Sequence, residues 1–282
     1  MKRVACQGCA GAFSHLAARS VFGDVRFIFF PTFEGVLRAL KDGEADRAVL
    51  PVENSEAGRV ADSHILLPES KAFIVGERFL RVEHHLLGVK GARIEDVKTA
   101  RSHVQALSQC AGALAEMGIS PYPAANTALA AKETAQNNDR SVAAVASETA
   151  AELYGLDILK RNIEDSPNNT TRFLILSATP EIPDLERPDV LTSFVFRVRN
   201  IPAALYKSLG GFATNGINIL RLESYVDPLH FVSAGFFVDA WGHSGSPAFK
   251  RAMNELAFFA EKIQILGTYP ADPFRQTLDN DQ

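Results

Sequence analysis

No apolar run in this chain reaches the ~18 residues that a membrane span requires, although 46% of its 282 residues are hydrophobic. A basic excess is missing as well. Twenty-nine Lys and Arg stand against 33 Asp and Glu, a formal net charge of −4, so there is no cationic footprint for nucleic acid. The opening Met1-Lys2-Arg3-Val4-Ala5-Cys6 runs straight into a short strand pattern. It lacks the long apolar segment and small-residue cleavage site of a signal peptide, and a cytoplasmic protein is expected. Cysteine is scarce: Cys6, Cys9 and Cys110 are the only three, an odd count that suits a reducing compartment better than a disulfide framework. Cys6-Gln7-Gly8-Cys9 is formally C-x-x-C, but zinc usually needs a second such pair. A redox pair usually opens a helix, whereas Cys6 falls inside the strand, so a structural role is expected for both thiols. Dinucleotide and P-loop glycine patterns, a nucleophile elbow and internal repeats are all absent. No metal and no cofactor are expected.

What is present is a rhythm. Short apolar runs at 3–7, 26–30, 48–52, 73–75, 85–89, 99–101, 141–146 and 173–176 read as strands. Helical patterns at 14–22, 33–41, 105–117, 128–135 and 147–154 lie between them, with Thr32, Ser102 and Asn126 as candidate caps. Such alternation implies parallel sheets with helices on both faces. Three prolines and four charges between Pro180 and Pro188 mark a linker,. Beyond it the order strand 190–198, helix 203–215, strands 217–225 and 231–239, helix 247–261, strand 263–269 is the βαββαβ of a ferredoxin-like split unit. The tail from Asp272 onward is polar and is expected to fray.

Four clusters sit where strands give way to turns or begin. Asn168-Asn169-Thr170-Thr171-Arg172-Phe173 places amides, hydroxyls and one guanidinium at the mouth of a buried strand. Arg172 has the fork to grip a carboxylate; the alternative is a structural ion pair with Glu164 or Asp165. Gly8-Cys9-Ala10-Gly11-Ala12-Phe13-Ser14 opens a helix whose free amides favour anions, with Ser14 a ligand contact or simply a cap. Pro51-Val52-Glu53-Asn54-Ser55 follows a strand at the end where open α/β sheets bind ligands, or is an ordinary capped turn. Ser102-His103-Val104-Gln105 reads as a helix cap that also donates to an anion. Together these turns suit a small anionic molecule.

In this order the clusters resemble prephenate dehydratase followed by an ACT regulatory domain. The resemblance covers nearly the whole chain, carried by Gln7-Gly8 through Ser14, Val49 through Ser55, Ser102 through Leu107 and Asn162-Ile163-Glu164-Asp165 leading to Thr171-Arg172-Phe173. Ile201-Pro202-Ala203-Ala204-Leu205 and Leu222-Glu223-Ser224-Tyr225 carry its C-terminal part. Ala10 and Val104 replace prolines common in the family, and Tyr225-Val226 stands where Arg-Pro is usual, in the part associated with phenylalanine binding.

The resemblance implies an α/β fold with a two-lobed, periplasmic-binding-protein-like catalytic domain over 1–178, its second lobe at about 73–160. A linker at 179–188 and an ACT domain at 189–271 follow, and no chorismate mutase domain is expected ahead. It implies decarboxylative dehydration of prephenate to phenylpyruvate, CO2 and water in phenylalanine biosynthesis. Thr171 would donate to the departing hydroxyl, Arg172 would hold the pyruvyl carboxylate and Phe173 would offer an apolar wall. Ser14, Asn54, Ser55, Ser102 and Thr170 would orient the substrate. Phenylalanine would inhibit from a site near Asn200, Pro202, Ala203, Ala204, Leu205, Asn218, Glu223 and Ser224, in a homodimer or homotetramer joined through ACT domains. Arogenate dehydratase and a non-catalytic amino-acid sensor are the alternatives.

Overall fold

The computed structural model describes residues 2–227 and 230–279. It begins with β1 (Arg3–Gln7), α1 (Phe13–Phe22), β2 (Arg26–Phe30), α2 (Phe33–Lys41), β3 (Arg47–Asn54), the short β4 (Gly58–Arg59), α3 (Ala61–Ser70) and β5 (Phe73–Arg81). Next come β6 (His85–Gly88), β7 (Thr99–Ser102), α4 (Val104–Ser108), α5 (Ala111–Glu116), β8 (Ser120–Pro123), α6 (Thr127–Asn137), β9 (Val142–Ala146), α7 (Glu148–Tyr154) and β10 (Asp157–Lys160). The chain continues through β11 (Thr170–Ser177), β12 (Val190–Val198), α8 (Ala204–Thr214), β13 (Ile219–Asp227), β14 (His230–Trp241), α9 (Pro247–Phe259), β15 (Ala260–Pro270) and α10 (Phe274–Asp279).

Among the described residues there are three sheets, ordered β2-β1-β3-β11-β5 with β4 beside β3, then β10-β6-β9-β7-β8, then β13-β14-β12-β15. The expectation of parallel sheets needs correction. In the second sheet β7 runs parallel to β8 and β9, but β6 is antiparallel to β9 and β10. Phe73–Arg81, expected in the second lobe, is an edge strand of the first sheet next to β11. By compactness the chain divides into residues 1–36, 49–59 and 79–173 as one unit and residues 37–48, 60–78 and 174–282 as another.

In the first unit, strand alternation builds two cores on the second sheet. Leu86, Ala143 and Val145 turn toward Leu107 and Leu114. Leu87, Ala144 and Ala146 turn toward Ala130, Ala131 and Ala150. The helical pattern at 105–117 is in fact two short helices, because the Gln109 carbonyl accepts from the Asp165 amide at 2.7 Å and is diverted from the helical ladder. The predicted cap at Ser102 belongs to His103 instead, and Ser14 lies inside α1, whose cap position is Ala12. Asn126 caps α6 as expected, and Thr32 Oγ1 accepts from Gly35 N at 3.2 Å.

In the second unit the βαββαβ order is realised as an antiparallel sheet. Phe194, Phe196, Phe236 and Val238 pack on Phe212 of α8 and Phe249 of α9. Across the other face, the His64 ring meets Phe237 edge-on at 5.1 Å, and Gln264 Nε2 donates to the Pro68 carbonyl at 3.1 Å. The tail does not fray where it is described. The Glu77 carboxylate, with no exposed side-chain surface, accepts from Arg275 Nε and Nη2 at 2.5 and 2.9 Å and from the Asp272 amide at 3.1 Å. Residues 280–282 lie outside the described residues.

Candidate functional site

β3 and β11 are neighbours in the first sheet, so the Pro51–Ser55 motif and the Asn168–Phe173 motif meet at one end of it. Ser55 joins them: its amide donates to the Thr170 carbonyl at 2.9 Å. Its hydroxyl donates to the Asn168 carbonyl at 2.8 Å and accepts from the Thr170 amide at 3.0 Å. Asn54 does more. Its Oδ1 accepts from the amides of Glu56 and Ala57 at 3.1 and 2.8 Å. Its Nδ2 donates to Asn169 Oδ1 at 2.7 Å and to Thr171 Oγ1 at 2.9 Å. A carboxamide has two donors and two acceptor sites, and all four are engaged. Asn54 therefore has nothing left for a substrate, and the Ser55 proton is committed too. Asn54 is thereby corrected to a support of the β11 mouth, while Ser55 ties the two motifs together and stays exposed, with one acceptor site of its hydroxyl open.

Thr171 is 8% exposed. Because it accepts from Asn54, its own proton remains to be given, and among the described residues no acceptor takes it. A hydroxyl that accepts one hydrogen bond is polarised to donate another. Thr170 keeps its side chain half-buried at the same mouth.

Successive strand residues face opposite sides, so Arg172 turns away from Thr171. It is 2% exposed, with Nη1 4.0 Å from Glu53 Oε2. Glu53 is thus a carboxylate neighbour of the guanidinium that the sequence reading did not name. Phe173 is not a wall of the site but core, packed with Val4, Cys6, Ala17 and Val49. Ser102 is also withdrawn from ligand contact: fully buried, it donates to the Val145 carbonyl at 2.6 Å.

Beside this mouth opens a cavity of about 670 Å³. Glu56 and Ala57, the residues whose amides Asn54 holds, form part of its wall, with His103, Gln105 and Gln109 from α4 and its flanks and Asp165 and Ser166 from the approach to β11. Sequence reasoning missed Gln109. The available signal was its position four residues after Gln105, which puts both amides on one helical face.

The glycine-rich loop after β1 is tied down rather than open. Gly11 adopts φ +85, and a Cβ there would stand 3.1 Å from Ala150. Its carbonyl accepts from Ser147 Oγ at 2.9 Å, and that of Ala10 from Tyr154 Oη at 2.8 Å. Ser14 is 5% exposed within α1. Burial pushes the Cys6 thiol up to about 12 and raises Cys9 as well, the reverse of the depressed value a reactive thiol needs. In the second unit the expected effector residues lie on the loop before α8, where Ala203 takes φ +59, in the first turn of α8, and on or just before β13. Tyr225 lays its ring against Gly235, its register partner.

The profile of the family described as "Prephenate dehydratase" matches residues 4–181. A bifunctional N-acyl-homoserine lactone acylase/prephenate dehydratase from Komagataeibacter europaeus is 46% identical over 97% of both chains. The Arabidopsis thaliana chloroplastic arogenate dehydratase/prephenate dehydratase 1 is 39% identical, over 97% of this chain and 73% of its own. The structure of a prephenate dehydratase in complex with L-Phe from Arthrobacter aurescens superposes with a TM-score of 0.86 at 26% identity, covering 95% of this chain and 90% of its own. These matches, spanning both clustered motifs and the cavity beside them, place the chain among the enzymes of the prephenate dehydratase family.

Proposed function

We propose that the enzyme converts prephenate to phenylpyruvate, CO2 and water, with Thr171 donating to the departing ring hydroxyl. The bond from the ring to its carboxylate breaks, the electron pair enters the ring, and the hydroxyl leaves as water, hydrogen-bonded by Thr171 and taking its proton from solvent water, so that Thr171 stays neutral. Aromatisation supplies the drive, so no strong base is required. The observation that carries the reading is the Thr171 hydroxyl, polarised by Asn54 and free to donate. A donor so placed is typically worth ~10² to 10⁴ in rate. The amides of Gln105 and Gln109 and the hydroxyls of Ser108 and Ser166 in the cavity wall suit the carboxylates and keto oxygen of the substrate.

Arogenate, with an amino group in place of the keto oxygen, is the second reading, favoured by the Arabidopsis relative. Incubation with prephenate and with arogenate, following phenylpyruvate and phenylalanine, decides between them. An N-acyl-homoserine lactone makes a third arm, because the Komagataeibacter relative carries that activity in its name. Turnover of none of these substrates overturns the reading.

The C-terminal βαββαβ unit is read as an ACT domain that pairs across a two-fold axis and binds phenylalanine near Asn200–Leu205, Asn218, Glu223 and Ser224. Its strand order and the L-Phe complex of the Arthrobacter relative support this. Saturating phenylalanine is then expected to raise thermal stability and lower activity. If it changes neither, Tyr225-Val226 has removed the control.

A further inference from the structure

His84 is 2% exposed, and no step described above uses it. It is held from every side. Its amide donates to Glu164 Oε2 at 2.9 Å, its carbonyl accepts from Ile163 N at 2.8 Å, and its ring meets Phe13 edge-on at 5.5 Å. Its Nε2 stands 3.2 Å from Gln109 Oε1. A carboxamide oxygen only accepts, so Nε2 carries the hydrogen. Nδ1 is then the bare nitrogen of a neutral ring, and it is buried with no partner. The flipped arrangement, with the Gln109 amide donating to a bare Nε2, would put the hydrogen on Nδ1 and strand a buried N–H, a rarer defect than an unused acceptor. Burial lowers the affinity of His84 for a second proton, which keeps Nδ1 bare at neutral pH.

The consequence falls on Gln109. With Oε1 held by the imidazole, the amide nitrogen is fixed as the donor end of a side chain that lines the cavity. Among the described residues nothing accepts from it.

We propose that His84 is a positioning residue, a neutral Nε2–H donor that fixes the Gln109 carboxamide so that its amide nitrogen is offered as a donor to an anionic group of the substrate. This rests on the reading of the cavity as the dehydratase site.

Two experiments test it. In the wild-type protein labelled with ¹⁵N-histidine, long-range ¹H–¹⁵N correlation is expected to report the Nε2–H tautomer for His84 at pH 7. An Nδ1–H tautomer overturns the proposal, whether or not the enzyme turns over prephenate. In kinetics, His84→Leu and Gln109→Leu are each expected to lower kcat/KM by about tenfold or more, the scale of one lost hydrogen bond. The double variant is expected to lose little beyond either single one, and His84→Gln, which keeps a donor, to recover part of the loss. Multiplied losses in the double variant show that His84 acts only through stability, and overturn the proposal. An inactive wild type with the Nε2–H tautomer would instead sink the dehydratase reading and leave the geometry standing.

Discussion

Asn54 Nδ2 donates to Thr171 Oγ1 across 2.9 Å, and the bond has only one possible direction. The amides of Glu56 and Ala57 hold Asn54 Oδ1, so the carboxamide cannot flip and the threonine must accept. Thr171→Ala is therefore expected to lose ~10² to 10⁴ in kcat while remaining folded, and Thr171→Ser to keep much of the activity. Asn54→Leu should lose comparably by disorienting the same hydroxyl. Near-normal turnover in Thr171→Ala, with circular dichroism unchanged, would remove the threonine from the chemistry.

The docked tail should be a stability element. Glu77 is buried and paired bidentately with Arg275, and removing one partner of a buried pair leaves an uncompensated charge. Arg275→Met is expected to cost about 3 to 5 kcal/mol, read as a drop in the urea midpoint of unfolding. A midpoint within error of wild type would show that the tail contributes nothing.

Acid should destabilise the fold through its histidines. Burial first, and Arg221 second, hold the His64 imidazole down to about 4 from an ordinary 6.5. The unfolded chain takes up this proton near pH 6.5, and the folded chain only near 4. The contribution is thus complete above pH 6.5 and fades as the pH falls toward 4, by up to about 3 kcal/mol. His15, His84 and His85 are lowered too and act in the same direction. Denaturant midpoints at pH 7 and pH 5 should fall accordingly, with a smaller drop in His64→Leu; an equal drop in that variant would exclude His64 as a source.

Gly267 of β15 lies with its Cα against the Ile74 carbonyl, and any Cβ there would overlap backbone rather than a movable side chain. Gly267→Ala should therefore destabilise the second unit by more than 1 to 3 kcal/mol, the usual cost of overpacking, and lower the thermal midpoint. Unchanged melting would mean that β15 has room to withdraw from β5.

Much of the fold was legible because its signals are local. The runs Val4-Ala5-Cys6 and Val49-Leu50 are apolar enough to require strands, and Asn126 and Thr32 cap helices with their own side chains. What was missed had weak or contradictory local signals. α3 contains Pro68, which cannot donate within a helix. β8 contains Pro121 and Pro123, tolerated because it is an edge strand,. The two-helix break at Gln109 depends on an amide from Asp165, 56 positions along the chain.

By itself the sequence determined most of the elements, their order and the two motifs that meet at the mouth of β11, since each depends on neighbours a few residues apart. Only the tertiary structure decided which side of a strand each motif residue serves. Adjacent residues alternate faces, so Thr171 met Asn54 while Arg172 met Glu53, and Phe173 became core. The same packing committed Asn54, Ser55 and Ser102 to the protein's own backbone and side chains. It also joined the Gln109 carbonyl to the Asp165 amide, because a hydrogen bond that closes over a long stretch of chain leaves no trace in local spacing.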